Sequence, residues 1–299
     1  MKLLSKVAAG TIPALVLWAI AGPSIAQTRV EENVVYGMYY GASLTMDIYH
    51  ADESNARGVF LVHGSGWHGF PGYSAPALKE LNDNTRQIRD ALVASGFTVF
   101  VPNHRQAPAF RWPVPYQDVA RAVRFVRSRA AEYGVSPTTI GALGTSSGGH
   151  LVGHLALQDG IGDNQSGDPI DALGSKVQAA VMICSSLDFM EPAFSNGFLA
   201  QFATSLIGEP SRLGDGRGEV SPAWSEAQPV THLTSDDPPF LVIHARDDFL
   251  VPYQAAETSV QALSDTGIPV EFVTIEEGGH CPDVDDSLIA AWLTEQLVN

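Results

Sequence analysis

The sequence predicts an α/β class, with a mostly parallel central sheet and helices on both faces. Three observations point there. Short apolar runs alternate with longer stretches of helical period. The runs are almost continuous in Val, Ile, Leu and Phe, as in strands buried on both faces. The residue types that carry chemistry cluster just after these runs, beyond the strand ends where such sheets gather their active groups.

Residues 33–40 and 44–49 read as an opening strand pair around Gly41. A third strand over 58–62 ends in His63-Gly64-Ser65-Gly66-Trp67. The spacing of Leu78, Leu81, Ile88 and Leu92 predicts a helix over 75–95, stopped by Gly96. Residues 97–101 form a buried strand ended by Pro102. An amphipathic helix spans 116–133, with Pro115 suited to its first turn. Val119, Val123 and Val126 face inward, and Arg121, Arg124, Arg127 and Arg129 are expected on a solvated face. A strand over 139–144 feeds Gly144-Thr145-Ser146-Ser147-Gly148, and a helical run follows over 151–157.

Residues 159–176 read as a surface loop. Its Asp159, Asp163, Asp168 and Asp171 lack the glycine-centred pattern and terminal Glu of a calcium loop, so a solvated acidic loop is expected. A strand over 179–184 comes next. From about 186 to 238 periodicity is weak and Gly, Pro and Ser are frequent, which predicts a lid or substrate-wall excursion with one helix near 198–206. Strands over 240–244 and 270–275 and helices over 253–263 and 285–297 close the chain.

The first 26 residues read as a secretory signal peptide: Lys2 and Lys6, an apolar run over 7–21, then Ser24-Ile25-Ala26 before Gln27. The expectation is therefore an exported protein, periplasmic or extracellular, with one domain over 27–299 and no stable membrane insertion after cleavage. Removal of the two lysines takes the formal charge from -16 to -18. No basic run remains, which argues against nucleic acid and anionic membrane surfaces as partners. Cys184 and Cys281 both fall near one sheet edge. A disulfide and two separate thiols both fit the sequence. No histidine or cysteine spacing fits a metal site, and no cofactor is expected.

Gly-x-Ser-x-Gly at a strand-to-helix turn marks Ser146 as a candidate nucleophile. A serine hydroxyl becomes nucleophilic when an imidazole takes its proton, and a carboxylate then fixes that imidazole's tautomer. His280 follows the 270–275 strand through Gly278-Gly279, and Asp247 and Asp248 follow the 240–244 strand. Asp248 is the preferred acid. Asp247 reads as a turn or cap residue, and Asp188 as a pocket residue that also lies within range of a histidine. His63 reads as a brace for its own loop, and His104 and His150 as supporting or packing residues.

The ordered motifs resemble those of α/β-hydrolases of the bacterial hormone-sensitive-lipase-like and acetyl/feruloyl carboxylesterase group. His63-Gly64-Ser65-Gly66-Trp67 resembles the His-Gly-Gly-Gly-aromatic segment, with Ser65 replacing a glycine. Asn103-His104-Arg105-Gln106-Ala107-Pro108 resembles Asp/Asn-Tyr-Arg-Leu-Ala-Pro, with departures at His104 and Gln106. Gly144-Thr145-Ser146-Ser147-Gly148-Gly149-His150-Leu151 resembles Gly-x-Ser-Ala-Gly-Gly-His-Leu, with Ser147 in place of alanine. The resemblance implies Ser146 as nucleophile, Asp248 as acid and His280 as base. It implies an oxyanion hole of the Ser65, Gly66 and Ser147 N–H groups. Trp67 and Asp188 are the candidate substrate-binding residues, with a packing role also open for Asp188. If position 65 needs a positive φ, serine is strained there; if not, its hydroxyl adds a donor. The implied activity is serine carboxylesterase action on short-chain acyl or aryl esters, a small-molecule ester or an acylated carbohydrate. His63-Gly64-Ser65-Gly66-Trp67 also resembles the His-Gly-x-x-Trp of arylformamidases, so amide hydrolysis on the same triad stays open. So does a non-catalytic binding protein on this scaffold.

Overall fold

A computed structural model describes residues 29–69, 76–189, 198–209 and 221–298. The expected leader over 1–26 lies outside the described residues, as does part of the 186–238 excursion.

The strands are β1 (Val30–Tyr39), β2 (Ala42–Tyr49), β3 (Gly58–Val62), β4 (Thr98–Pro102), β5 (Ile140–Thr145), β6 (Ala180–Ile183), β7 (Phe240–Ala245) and β8 (Val270–Ile275). They form one sheet in the order β1-β2-β4-β3-β5-β6-β7-β8. Only β1–β2 and β2–β4 pair antiparallel; the run from β4 through β8 is parallel. Both faces of β3 through β7 are buried, which explains their continuous apolar runs, whereas the edge strand β8 is only partly buried. In β3, Phe60 and Val62 join Phe100, Val119, Val123 and Leu151 in one core. Val59 and Leu61 point the other way and join Leu92, Phe97, Leu143 and Leu293.

The helices are α1 (Asp83–Ala94), α2 (Val114–Ser128), α3 (Ser147–Leu157), α4 (Phe198–Ile207), α5 (Pro222–Glu226), α6 (Tyr253–Thr266) and α7 (Asp286–Gln296). α2 and α3 pack on the first core, and α1 and α7 cover the second. This is the α/β-hydrolase architecture. No helix among the described residues is long and apolar enough to cross a membrane.

Three expectations need correction. The helix expected over 75–95 begins only at Asp83, because the Asn82 side chain accepts the Thr85 N–H (2.9 Å) and caps it. Leu78 and Leu81 are buried from an irregular segment before the cap. The helix expected over 116–133 runs over Val114–Ser128 and ends in turns that lead to Gly134 at φ +65°. The arginines of α2 are not a solvated face. Arg121 bonds Asp168 (2.7 Å) and Asp171 (2.5 Å), and Arg124 donates to the Leu173 carbonyl (2.9 Å). Arg127 donates to the carbonyls of Pro137 (3.0 Å), Gly174 and Lys176 (2.9 Å). The acidic loop over 159–176 is thereby pinned to α2.

Candidate active site

Ser146 lies between the end of β5 and the start of α3 with φ +50° and ψ -122°. A non-glycine residue held there costs on the order of 1–3 kcal/mol. Its surroundings hold it in place. The Ser146 N–H donates to the Ile183 carbonyl (2.9 Å), and the Ser146 carbonyl accepts from the His150 N–H (3.2 Å). The turn requires its glycines. A Cβ at Gly148 would sit 2.0 Å from the Val62 carbonyl oxygen, and one at Gly144 would sit 2.3 Å from the Gly148 oxygen.

The loop after β8 carries His280. Its Nε2 lies 2.9 Å from Ser146 Oγ, and its Nδ1 lies 2.9 Å from Asp248 Oδ2 and 3.1 Å from Oδ1. Asp248 Oδ1 also accepts the N–H groups of Leu250 (2.8 Å) and Val251 (2.9 Å). Burial alone would raise the Asp248 carboxyl. Hydrogen bonds from His244 and His280, the His280 charge and the Val251 N–H outweigh it and hold the group down to about 2. Asp248 is thus an ionised acceptor at neutral pH, the form that orients an imidazole. Asp247 does other work: its Oδ1 accepts the N–H groups of Gly278 (2.9 Å) and Gly279 (2.8 Å) and shapes the turn before His280.

The segment after β3 wraps over the serine. Gly64 donates to Thr145 Oγ1 (3.0 Å). Gly66 takes φ +66° and Trp67 φ +59°, whereas Ser65 is not among the positive-φ residues and carries no such strain. The expected oxyanion role of Ser65 needs correction, because its N–H is committed to Ser147 Oγ (2.9 Å). The Ser65 hydroxyl is itself buried with no hydrogen-bond partner among the described residues. The expected oxyanion role then rests on the Gly66 and Ser147 N–H groups. Ser147 is the first residue of α3, so its N–H has no acceptor inside the helix. Trp67 is locked by an Nε1–H bond to His150 Nδ1 (3.1 Å), and His150 Nε2 in turn bonds the Ala227 carbonyl (2.8 Å).

Ser146 and His280 open into a cavity of about 610 Å³. Trp67, Phe189, Phe202 and Trp224 supply aromatic lining, and Asn82 and Asn84 contribute polar lining. Trp67 therefore lies where a substrate wall was expected. Asp188 does not line the cavity; its neighbour Phe189 does. A tight turn explains this: Ser186 Oγ donates to the Asp188 carbonyl (3.0 Å) and accepts the Asp188 N–H (3.1 Å). Cys184 and Cys281 are disulfide-bonded, with 4.9 Å between their Cα atoms.

Residues 46–263, well over half of the chain, match the BD-FAE family. The chain belongs to the BD-FAE family. It is 28% identical over 266 residues to the probable carboxylic ester hydrolase LipM of Mycobacterium tuberculosis, covering 87% of this chain and 58% of LipM. It is 27% identical over 238 residues to esterase LipQ of the same organism, covering 76% of this chain and 55% of LipQ. The chain thus spans little more than half the length of these relatives. Among solved structures it resembles a truncated carbohydrate esterase from gut microbiota, with TM-score 0.73 and 24% identity, covering 91% of this chain and 97% of the other. That likeness is one of fold.

Against this BD-FAE background, the residues that sequence reasoning missed are Phe189, Phe202 and Trp224. All three lie in the excursion over 186–238, and an aromatic count of that aperiodic stretch would have flagged them. His244 was also missed. Its Nε2 lies 3.3 Å from Asp248 Oδ2, a contact made by the last strand turn before the acid.

Proposed function

We propose that this chain is an exported serine carboxylesterase acting on short-chain acyl or aryl esters, including acylated carbohydrates. The observation that carries the reading is the relay Ser146 Oγ–His280 Nε2 (2.9 Å) and His280 Nδ1–Asp248 Oδ2 (2.9 Å) inside an aromatic-lined cavity. Ser146 attacks the ester carbonyl while His280 takes its proton. The oxyanion gathers at the N–H groups of Gly66 and Ser147, each worth about 3 kcal/mol to the transition state. Collapse of the tetrahedral intermediate breaks the C–O bond, and His280 returns the proton to the departing alcohol. His280 then activates a water that releases the acid from Ser146. The names of the relatives, a probable carboxylic ester hydrolase and an esterase, support this reaction, and that of the carbohydrate esterase supports a sugar-borne ester. The leader-like residues 1–26 and the disulfide support export.

The test is hydrolysis of p-nitrophenyl acetate, butyrate and octanoate, with Ser146→Ala alongside. Turnover that falls with acyl length and vanishes in a folded Ser146→Ala is the expected result. Substantial turnover by that variant would overturn the assignment.

A further inference from the structure

Cys281 directly follows His280, and Cys184 directly follows β6. β6 runs parallel beside β5, with Thr145 opposite Ile183. The Ser146 N–H donates to the Ile183 carbonyl at 2.9 Å. A short path therefore joins the two reacting side chains: the Ser146 amide, the Ile183 carbonyl, Cys184, the bridge, Cys281 and His280. Only one link in it is not covalent.

Apart from the bridge, the loop that carries His280 is held by the Asp248 carboxylate on the His280 ring, by the buried Pro282 and by Val284 against the second core. Residues 276–285 have no helix or strand. The Asp247 carboxylate fastens Gly278 and Gly279 from an exposed position, and Asn84 reaches the Cys281 carbonyl only at 3.5 Å. At the other end Cys184 is fully buried against β6. The bridge ties a segment without helix or strand to the end of β6, one residue from His280. Cys281 also lines the cavity that Ser146 and His280 open into.

We propose that the Cys184–Cys281 disulfide is a positioning element for the base: it holds His280 against Ser146, and full activity appears only once the bridge has formed. The proposal rests on the triad reading above. In forming the bridge the two thiols give up two protons and two electrons to an external disulfide oxidant, which leaves as two thiols.

The full chain, without its leader, is equilibrated in glutathione/glutathione-disulfide buffers of graded ratio, well below its melting temperature. Free thiol content, circular dichroism and p-nitrophenyl acetate kinetics are read at each ratio, and Cys184→Ala and Cys281→Ala are measured in parallel. Misplacement of a catalytic group by about 1 Å lowers rate on the order of 100-fold. The expected result is a fall in kcat of about 10- to 100-fold as thiols appear, with KM nearly constant and circular dichroism unchanged. Re-oxidation of the wild type restores the rate, and both variants stay low at every ratio. A constant kcat with a lowered melting temperature would overturn the proposal, since the bridge would then only stabilise. Activity and circular dichroism lost in step would overturn it too, since the bridge would then hold the fold and not the base. Failure of the triad reading looks different: the fully oxidised wild type would be inactive and a phosphonate probe would leave Ser146 unlabelled.

Discussion

His150 and His154 make a prediction that can be worked from the structure. Both are completely buried in α3 under the active site. His150 accepts the Trp67 Nε1–H at Nδ1 and meets the Ala227 carbonyl at Nε2, so it is a neutral imidazole with its proton on Nε2. A second proton would have to enter at Nδ1, against a donor. Burial takes His150 down to about 3, although its bond to Ala227 opposes the shift. Burial, with the neighbouring His150, takes His154 well below its ordinary value. The sign follows from linkage. The unfolded chain binds a proton at each site near pH 6.5 and the native chain does not. Stability is therefore fully present above about pH 6.5 and falls as pH drops toward the folded values. Between pH 7 and 5.5 each histidine should withdraw about 1.3 kcal/mol, or about 2.5 kcal/mol together. In a domain of this size that is roughly 5–10 °C in melting temperature. His63, His68 and His104 are lowered by burial and act in the same direction. The assay is urea unfolding of the wild type and His150→Gln across pH 5.5–7.5, a window above most carboxylate titration. His150→Gln should show a slope shallower by about 1.4 kcal/mol per pH unit at the acid end. A flat wild-type profile, or an unchanged slope in the variant, would refute the argument that these rings stay neutral.

Two further outcomes are expected. Ser147→Ala removes the acceptor of the Ser65 N–H and should lower stability by about 1–3 kcal/mol in urea unfolding. Arg105→Ala leaves the buried Asp118 carboxylate without its guanidinium fork (2.8 and 2.6 Å) and should cost about 3–5 kcal/mol, read as a lower denaturation midpoint with an unchanged m-value.

The legibility of this chain divides along physical lines. Strands such as β3 and β4 show in the sequence because burial on both faces leaves them almost wholly apolar, with Thr98 at the start of β4 the exception. Ser146, Asp248 and His280, which the structure brings into one hydrogen-bonded row, are legible as candidates because each lies within five residues of a strand end. The capture of Arg121, Arg124 and Arg127 by the 159–176 loop does not show. Three of its acceptors, the carbonyls of Leu173, Gly174 and Lys176, lie some 50 residues away, and carbonyls carry no sequence signature. The start of α1 was misplaced because Leu78 and Leu81 keep helical spacing while packing from an irregular segment. The bridge between Cys184 and Cys281 depends on a distance that the pairing of β6, β7 and β8 sets.

Position 65 ties these threads to catalysis. Ser65 and Ser147 stand where the resembling motifs have a glycine and an alanine, and read one at a time each is a small substitution. In space they are one feature: the Ser147 hydroxyl takes the Ser65 N–H at 2.9 Å. A backbone donor that the resemblance assigns to the oxyanion is thereby turned into a strut between the segment after β3 and the start of α3. The strut carries no backbone strain at Ser65, because the positive φ values fall on Gly66 and Trp67 instead. Trp67 is in turn held by His150, so the rigidity of the hole reaches the same buried imidazole whose neutrality governs the pH dependence of stability. The native ring stays neutral at mildly acid pH, so acid acts through the unfolded chain and leaves the Trp67 anchor in place until pH falls toward the folded value of His150.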